Sequence, residues 1–299
     1  HFTRPVQHPY KKGINKNQLK YRTVNLDAEI KNGIETGIPL DEQVQTAVSA
    51  LSNMSFKSNF GKLVLIVGHG SSTVNNPHST GLDCGACGGH TGESNARILS
   101  KILNNPTVRK ELEIKGISIP TDSHFIAALH DTTTDEIELL DQIEVPSNLQ
   151  TELNELQQYL SKASIQARAE RSLRMDDNFK GDKNKFIIQR SKDWSQTRPE
   201  WGLAGCNAFI VAPRKRSQNC KLDGKSFLHN YNWETDTDFK TLELIMTAPM
   251  VVTSWINLQY FASSVDNKHT GAGNKVLHNI VGGFGVIEGF GGDLKGKRI

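Results

Sequence analysis

A chain of 299 residues that is 36% hydrophobic has enough apolar material for a full core, built as one large domain or two smaller ones. With 35 Lys and Arg against 32 Asp and Glu the formal charge is only +3, and no basic stretch is interleaved with aromatic residues, so no nucleic-acid partner is expected. The four cysteines, Cys84, Cys87, Cys206 and Cys220, are too few for a disulfide scaffold at this length and point to metal or redox chemistry in a reducing compartment.

In chain order, His1 rather than Met opens the sequence, and no basic start leads into an apolar stretch as a signal peptide would. The expectation is a piece of a longer protein in which residues 1–60 form an irregular and helical lead-in and residues 61–299 an α/β domain. Pro39-Leu-Asp-Glu-Gln opens an amphipathic helix to about Asn53, with Val44, Ala47, Val48 and Leu51 on one face. Lys62-Leu-Val-Leu-Ile-Val-Gly68 is a short continuous apolar run closed by glycine, the pattern of a fully buried strand in a parallel sheet. Helices are predicted over about 93–103, 106–115 and 147–174, the last with Leu149, Leu153, Leu156 and Leu160 at helical spacing. His124 to His130 reads as a second buried strand and Asn207 to Ala212 as a third, while the charged stretch 176–200 reads as exposed. Alternating strands and helices predict an α/β fold, a mainly parallel sheet flanked by helices.

The run from Leu244 to Val265 carries no charge. It is long enough to be tested as a membrane span, but Pro249, Thr247, Thr253, Ser254, Asn257, Gln259, Ser263 and Ser264 interrupt it, so it reads as a buried core element. Peripheral binding to a membrane partner is compatible with that reading.

The residues suited to chemistry gather around Gly68-His69-Gly70 and Leu82-Asp-Cys84-Gly-Ala-Cys87-Gly-Gly-His90. A histidine at the carboxyl end of a buried strand is rigidly placed where α/β proteins put their ligands. Cys84 follows fifteen positions later on a glycine-rich stretch able to fold back. Zinc takes imidazole nitrogen and thiolate sulfur in a tetrahedron. Cys87 and His90 are spare candidates. The bland alternative makes both cysteines small buried residues of a tight turn. A Cys-x-x-Cys redox pair is a further alternative, but it calls for a helix start at the first cysteine, and Gly85 and Gly88-Gly89 argue against one. His124 and His130 read as satisfied core or edge residues, and Asp131 as a strand-end acid without a nameable partner. His229, His269 and His278 read as surface residues, and Trp201 and Arg214 as packing and surface charge.

The stretch VGHGSSTVNNPHSTGLDCGACGGHTGESNAR at 67–97 resembles the signature of the DabA family, the inorganic carbon transporter subunit. So do Pro199-Glu-Trp-Gly-Leu-Ala-Gly205 running into AFIVAPR at 208–214, Lys225-Ser-Phe-Leu-His229, IMTAPMVVTSWINLQYF at 245–261, and Gly-Gly-Phe-Gly-Val-Ile at 282–287 after His278-Asn279. The resemblance implies a core similar to β-type carbonic anhydrases, incomplete in this chain, with a zinc site of Cys, Asp, His and Cys. Carried over by motif, the His is His69 and the second Cys is Cys84. The other Cys and the Asp belong to a C-x-D-x-R segment that does not occur in this sequence, so the chain would hold half the ligands and be inactive alone. The resemblance further implies hydration of CO₂ to bicarbonate coupled to an ion gradient, and a membrane partner, DabB, similar to cation antiporter subunits. It also implies a peripheral position on the cytoplasmic face of the inner membrane. The alternative function is a zinc-binding scaffold that docks on a membrane transporter without catalysis.

Overall fold

The computed structural model describes residues 24–72, 91–175, 179–192 and 207–254, and the short strands 277–279, 286–288 and 294–295. A hairpin of β1 (Glu29–Lys31) and β2 (Ile34–Thr36) comes first. Its two-residue turn is Asn32-Gly33, both at positive φ (54° and 78°), the mirror-image turn whose twist suits antiparallel strands. Helix α1 (Leu40–Asn53) follows, with Val44, Ala47 and Leu51 buried at the predicted helical spacing.

The central sheet has the order β3–β4–β5, built from β3 (Leu63–Gly70), β4 (His124–Asp131) and β5 (Glu136–Leu139). β3 and β4 are parallel, joined through α2 (Glu93–Asn104) and α3 (Pro106–Ile114), whereas β5 returns antiparallel to β4. The alternation of strand side chains assigns each face its cover. Val64, Ile66 and Phe125 pack with Val44, Ala47 and Leu51 of α1, Ile102 and Leu103 of α2, and Val108 and Leu112 of α3. Leu63, Leu65, Ile126 and Ala128 face the other way, onto Leu149, Leu153, Leu156 and Leu160, where a single 3₁₀ turn (Ser147–Leu149) leads into the 26-residue helix α4 (Gln150–Met175). Helices therefore cover both faces, which is why both strands are apolar runs rather than alternating ones.

Five expectations are corrected. The fold is mixed α/β, but its sheets are not mainly parallel: β1–β2 and β8–β9–β10 (Leu277–Asn279, Val286–Glu288, Leu294–Lys295) are antiparallel, and the central sheet is mixed. The third strand candidate, β6 (Ala208–Val211), does not join the central sheet but pairs in parallel with β7 (Ser226–His229). β3 is only partly buried, with Val67 46% exposed, because among the described residues it lies at the sheet's edge, while Phe125 to Ala128 of central β4 are 0–2% exposed. Within 176–200, Lys183–Lys192 forms helix α5, whose Ile187 and Ser191 are buried. Finally, the described part of the uncharged run is not core. Helix α6 (Lys240–Thr247) and the helical residues 249–254 bury Ile245, but Leu244, Met246, Val251 and Val252 are about half exposed. Residues 255–265 lie outside the described residues.

At the amino end of β4, burial lowers the pKa of His124, and the positive charges of Arg109 and Lys101 add to that effect against the opposing Glu144. A depressed histidine favours the neutral form in the folded state. Its stabilising contribution is complete above the unfolded value of about 6.5 and is lost as pH falls from there through the folded value. The expected result is a melting temperature that declines on acidification below about pH 6.5, and a shallower decline in His124→Gln. Identical slopes in thermal melts of the two proteins would contradict this assignment.

Candidate functional site

The carboxyl ends of β3 and β4 carry Gly68-His69-Gly70 and Leu129-His130-Asp131, paired rung by rung in parallel register. Gly68 and Gly70 share the face of Val64 and Ile66, toward α2, and His69 the face of Leu63 and Leu65, toward α4. The two glycines are required by a close approach. A Cβ on Gly68 would collide with the carbonyl of Gly92, the residue that starts α2, and a Cβ on Gly92 would lie 2.8 Å from the Gly68 Cα. A Cβ on Gly70 would sit 3.0 Å from Thr91 Cγ2. The Gly92 N–H donates to the His69 carbonyl at 2.8 Å. The amino terminus of α2 is thus pressed directly against the strand that carries His69.

The opposite flank is held by the turn after β4. Thr132 donates to the Gly70 carbonyl from its N–H (2.8 Å) and its hydroxyl (3.0 Å), and the Ser72 N–H donates to Thr133 Oγ1 at 3.2 Å. Residues 70–72 and 91–92 are therefore fixed at one place, so the segment between them leaves and re-enters the fold beside His69.

His130, in register with His69, shares a 3.2 Å hydrogen bond between its Nε2 and Asp135 Oδ1. Asp135 Oδ2 is 2.9 Å from Arg171 Nη2, on α4. The Arg171 guanidinium also donates to the carbonyls of Thr132 (2.7 Å) and Thr133 (2.6 Å), and Arg168 donates to that of Thr134 at 2.7 Å. Beyond Leu160 the buried stripe of α4 turns from leucine to Ser164, Arg168 and Ser172, the point at which the helix passes the polar end of the sheet. The strand-end acid Asp131 does have a partner: its Oδ1 accepts from the Thr133 N–H at 2.9 Å.

Of the two expected metal ligands, His69 is exposed at the strand end, and Cys84, with Cys87 and His90, lies outside the described residues. Among the described residues no group of three or more His, Cys, Asp or Glu is arranged to hold a metal ion. The donor that is described, an exposed imidazole on a rigid strand terminus, is chemically suited to zinc. Sequence reading missed two contributors. Gly92 was signalled by Gly-Glu at a helix start. Arg171 carried no local signal, since its partners lie 36 to 39 positions away.

No solved structure matches the chain. It is 54% identical over 294 residues to the Probable inorganic carbon transporter subunit DabA of Chloroflexus aurantiacus and 53% identical over 294 residues to that of Roseiflexus castenholzii. Over 293 residues it is 49% identical to the Probable inorganic carbon transporter subunit DabA 2 of a Bradyrhizobium strain. Each match covers 98% of this chain and 35% of the relative, so the chain spans about a third of the length of these curated relatives. The sequence profile of a family described as "Probable inorganic carbon transporter subunit DabA" matches residues 3–296, and the chain belongs to that family.

Proposed function

We propose that this chain is the part of an inorganic carbon uptake subunit that supplies His69 and Cys84 to a zinc site, where CO₂ is hydrated to bicarbonate. The observation that carries the reading is the pinning of residues 70–72 and 91–92 at the end of β3. Only seven positions separate Cys84 from Thr91, a tether of at most about 25 Å. Anchors closed at one place are compatible with a loop that returns Cys84 toward His69, and this supports the reading. His69 is one of the borderline donors zinc accepts, and a cysteine beside the ion binds as thiolate. The chemistry the ion supplies when bound is the acidification of water toward neutrality.

The part played by this chain's own residues follows from their placement. β3 holds the His69 backbone still through the Gly92 N–H, while His130, Asp135 and Arg171 keep the adjacent strand and its turn in place. The relatives are named as transporter subunits, and a subunit works with others. Among the described residues no helix is long and apolar enough to cross a membrane. In this reading translocation belongs to a membrane partner, a DabB-like cation-translocating subunit, and the remaining two zinc ligands come from the polypeptide outside this chain.

The test is zinc content of the full-length polypeptide after dialysis against a chelator. His69→Ala and Cys84→Ser are expected to lose the metal, and Cys87→Ser to retain it, with unchanged melting profiles reporting intact folding. Retention of zinc by folded His69→Ala protein would end the proposal. Zinc bound at these residues without CO₂ hydration in the intact complex would reduce the role to a scaffold.

A further inference from the structure

A second surface, remote in sequence from His69, carries an excess of positive charge. Between 207 and 232 the sequence carries Arg214, Lys215, Arg216, Lys221 and Lys225 against one carboxylate, Asp223. Asp223 lies 3.8 Å from Lys221. Arg214, Lys215 and Arg216 are all exposed, and among the described residues none of them has a carboxylate partner. They occupy one short 3₁₀ turn (Arg214–Arg216) that leaves the carboxyl end of β6.

The turn is rigid rather than trailing. The Arg214 N–H donates to Asn230 Oδ1 at 3.1 Å and its Nη2 to the Leu228 carbonyl at 3.2 Å, and the N–H groups of Ser217 and Gln218 both return to the Arg214 carbonyl at 3.0 Å. β7 is parallel to β6, so its carboxyl end lies at the same end of the pair. From there the chain passes through Tyr231, whose N–H reaches the Ala212 carbonyl, into a second 3₁₀ turn that begins at Trp233. Trp233 is 60% exposed. The basic turn and the exposed Trp233 therefore both follow the carboxyl ends of the two parallel strands.

We propose that the Arg214–Arg216 turn and Trp233 form a docking surface for a bilayer rich in anionic phospholipid. Phosphate oxygens at a membrane surface take guanidinium and ammonium groups without demanding a matching shape, and each such group contributes independently. The indole is the side chain that prefers the headgroup level, with an apolar body and a polar N–H. A bilayer offers both at once, phosphate oxygens for the cations and a headgroup layer for the indole. Phe239, 54% exposed and held at positive φ beyond the second turn, adds a further ring at the surface. The inference rests on the membrane partner in the proposed function, which brings this chain to a bilayer, but not on its zinc site.

The experiment is co-sedimentation of the full-length polypeptide with vesicles of phosphatidylcholine alone or mixed with phosphatidylglycerol. Binding is expected only to the mixed vesicles and to weaken with salt. Arg214→Gln/Lys215→Gln/Arg216→Gln should lower the partition coefficient about 100-fold. Trp233→Ala should remove the part of binding that survives high salt. Lys215→Gln/Arg216→Gln, which keeps the Arg214 hydrogen bonds, guards against a folding defect and should fall between the two. Equal binding of the triple variant, no preference for phosphatidylglycerol, or membrane binding only when the membrane subunit is present would each overturn the proposal. Unchanged zinc content in the triple variant of the full-length protein separates this surface from the metal site.

Discussion

Gly68→Ala is expected to destabilise the protein by about 3 kcal/mol, near the upper end of what a single added methyl costs in a packed interior. The reason is the identity of the obstacle. A Cβ at this position runs into the carbonyl carbon and oxygen of Gly92, which are backbone atoms at a helix start and have no rotamer to yield. The strand and the helix would have to part, and the hydrogen bond from the Gly92 N–H to the His69 carbonyl would part with them. Gly33→Ala provides the contrast. It sits at φ 78° with no atom near a new Cβ, so only the left-handed backbone is penalised, at about 1 kcal/mol. Urea denaturation at equilibrium measures both, and a midpoint shift for Gly68→Ala no larger than that for Gly33→Ala would show that the close approach is not tight. Gly92→Ala meets the same contact from the other side, so the double variant should cost less than the sum of the singles.

Arg171→Met carries the other large effect, about 3–5 kcal/mol. Its side chain is 10% exposed, and its guanidinium binds Asp135 and two backbone carbonyls together. Methionine fills part of the volume but leaves the Asp135 carboxylate, 19% exposed, without its cation, and leaves the carbonyls of Thr132 and Thr133 with no donor from α4. Arg171→Lys keeps the charge but lacks the planar fork that spans three acceptors, so it should recover only part of the loss. Calorimetric melts order the three proteins. A methionine variant as stable as the parent would mean that the turn after β4 holds itself, through Asp131 and the threonines, without α4. The ring resonances of His130, whose Nε2 meets the same Asp135, are expected to shift in both variants.

What was readable in the sequence was whatever depends on neighbours along the chain. α1 announced itself through Val44, Ala47 and Leu51, and β3 and β4 through unbroken apolar runs, because a helix or strand writes its period into a short window. The position of His69 at a strand terminus was readable for the same reason. Strand pairing was not. β5 is a four-residue Glu-Ile-Glu-Leu whose direction is set by the tight turn at Thr132 to Asp135, and β6 finds β7 instead of the central sheet. Nothing within either strand encodes that choice. Burial was misjudged where it depends on what covers an element. Val67 faces outward at an edge, Leu244 and Met246 lie on an exposed helix, and Ile187 is covered by packing within a stretch read as charged surface. The link through Arg171 is tertiary by nature and leaves no spacing to detect.

The register of β3 on β4 also bears on how the molecule assembles. Every rung joins residues 61 positions apart, from Leu63 with His124 to Gly70 with Asp131, whereas the β1–β2 hairpin closes over a few residues. Bringing such distant stretches together costs about 3–4 kcal/mol of chain entropy before any pairing repays it. Contacts of this range slow the search for the native topology. The local helices can flicker into being early, but the imidazole of His69 meets its neighbours only when the long excursion through α2 and α3 has closed.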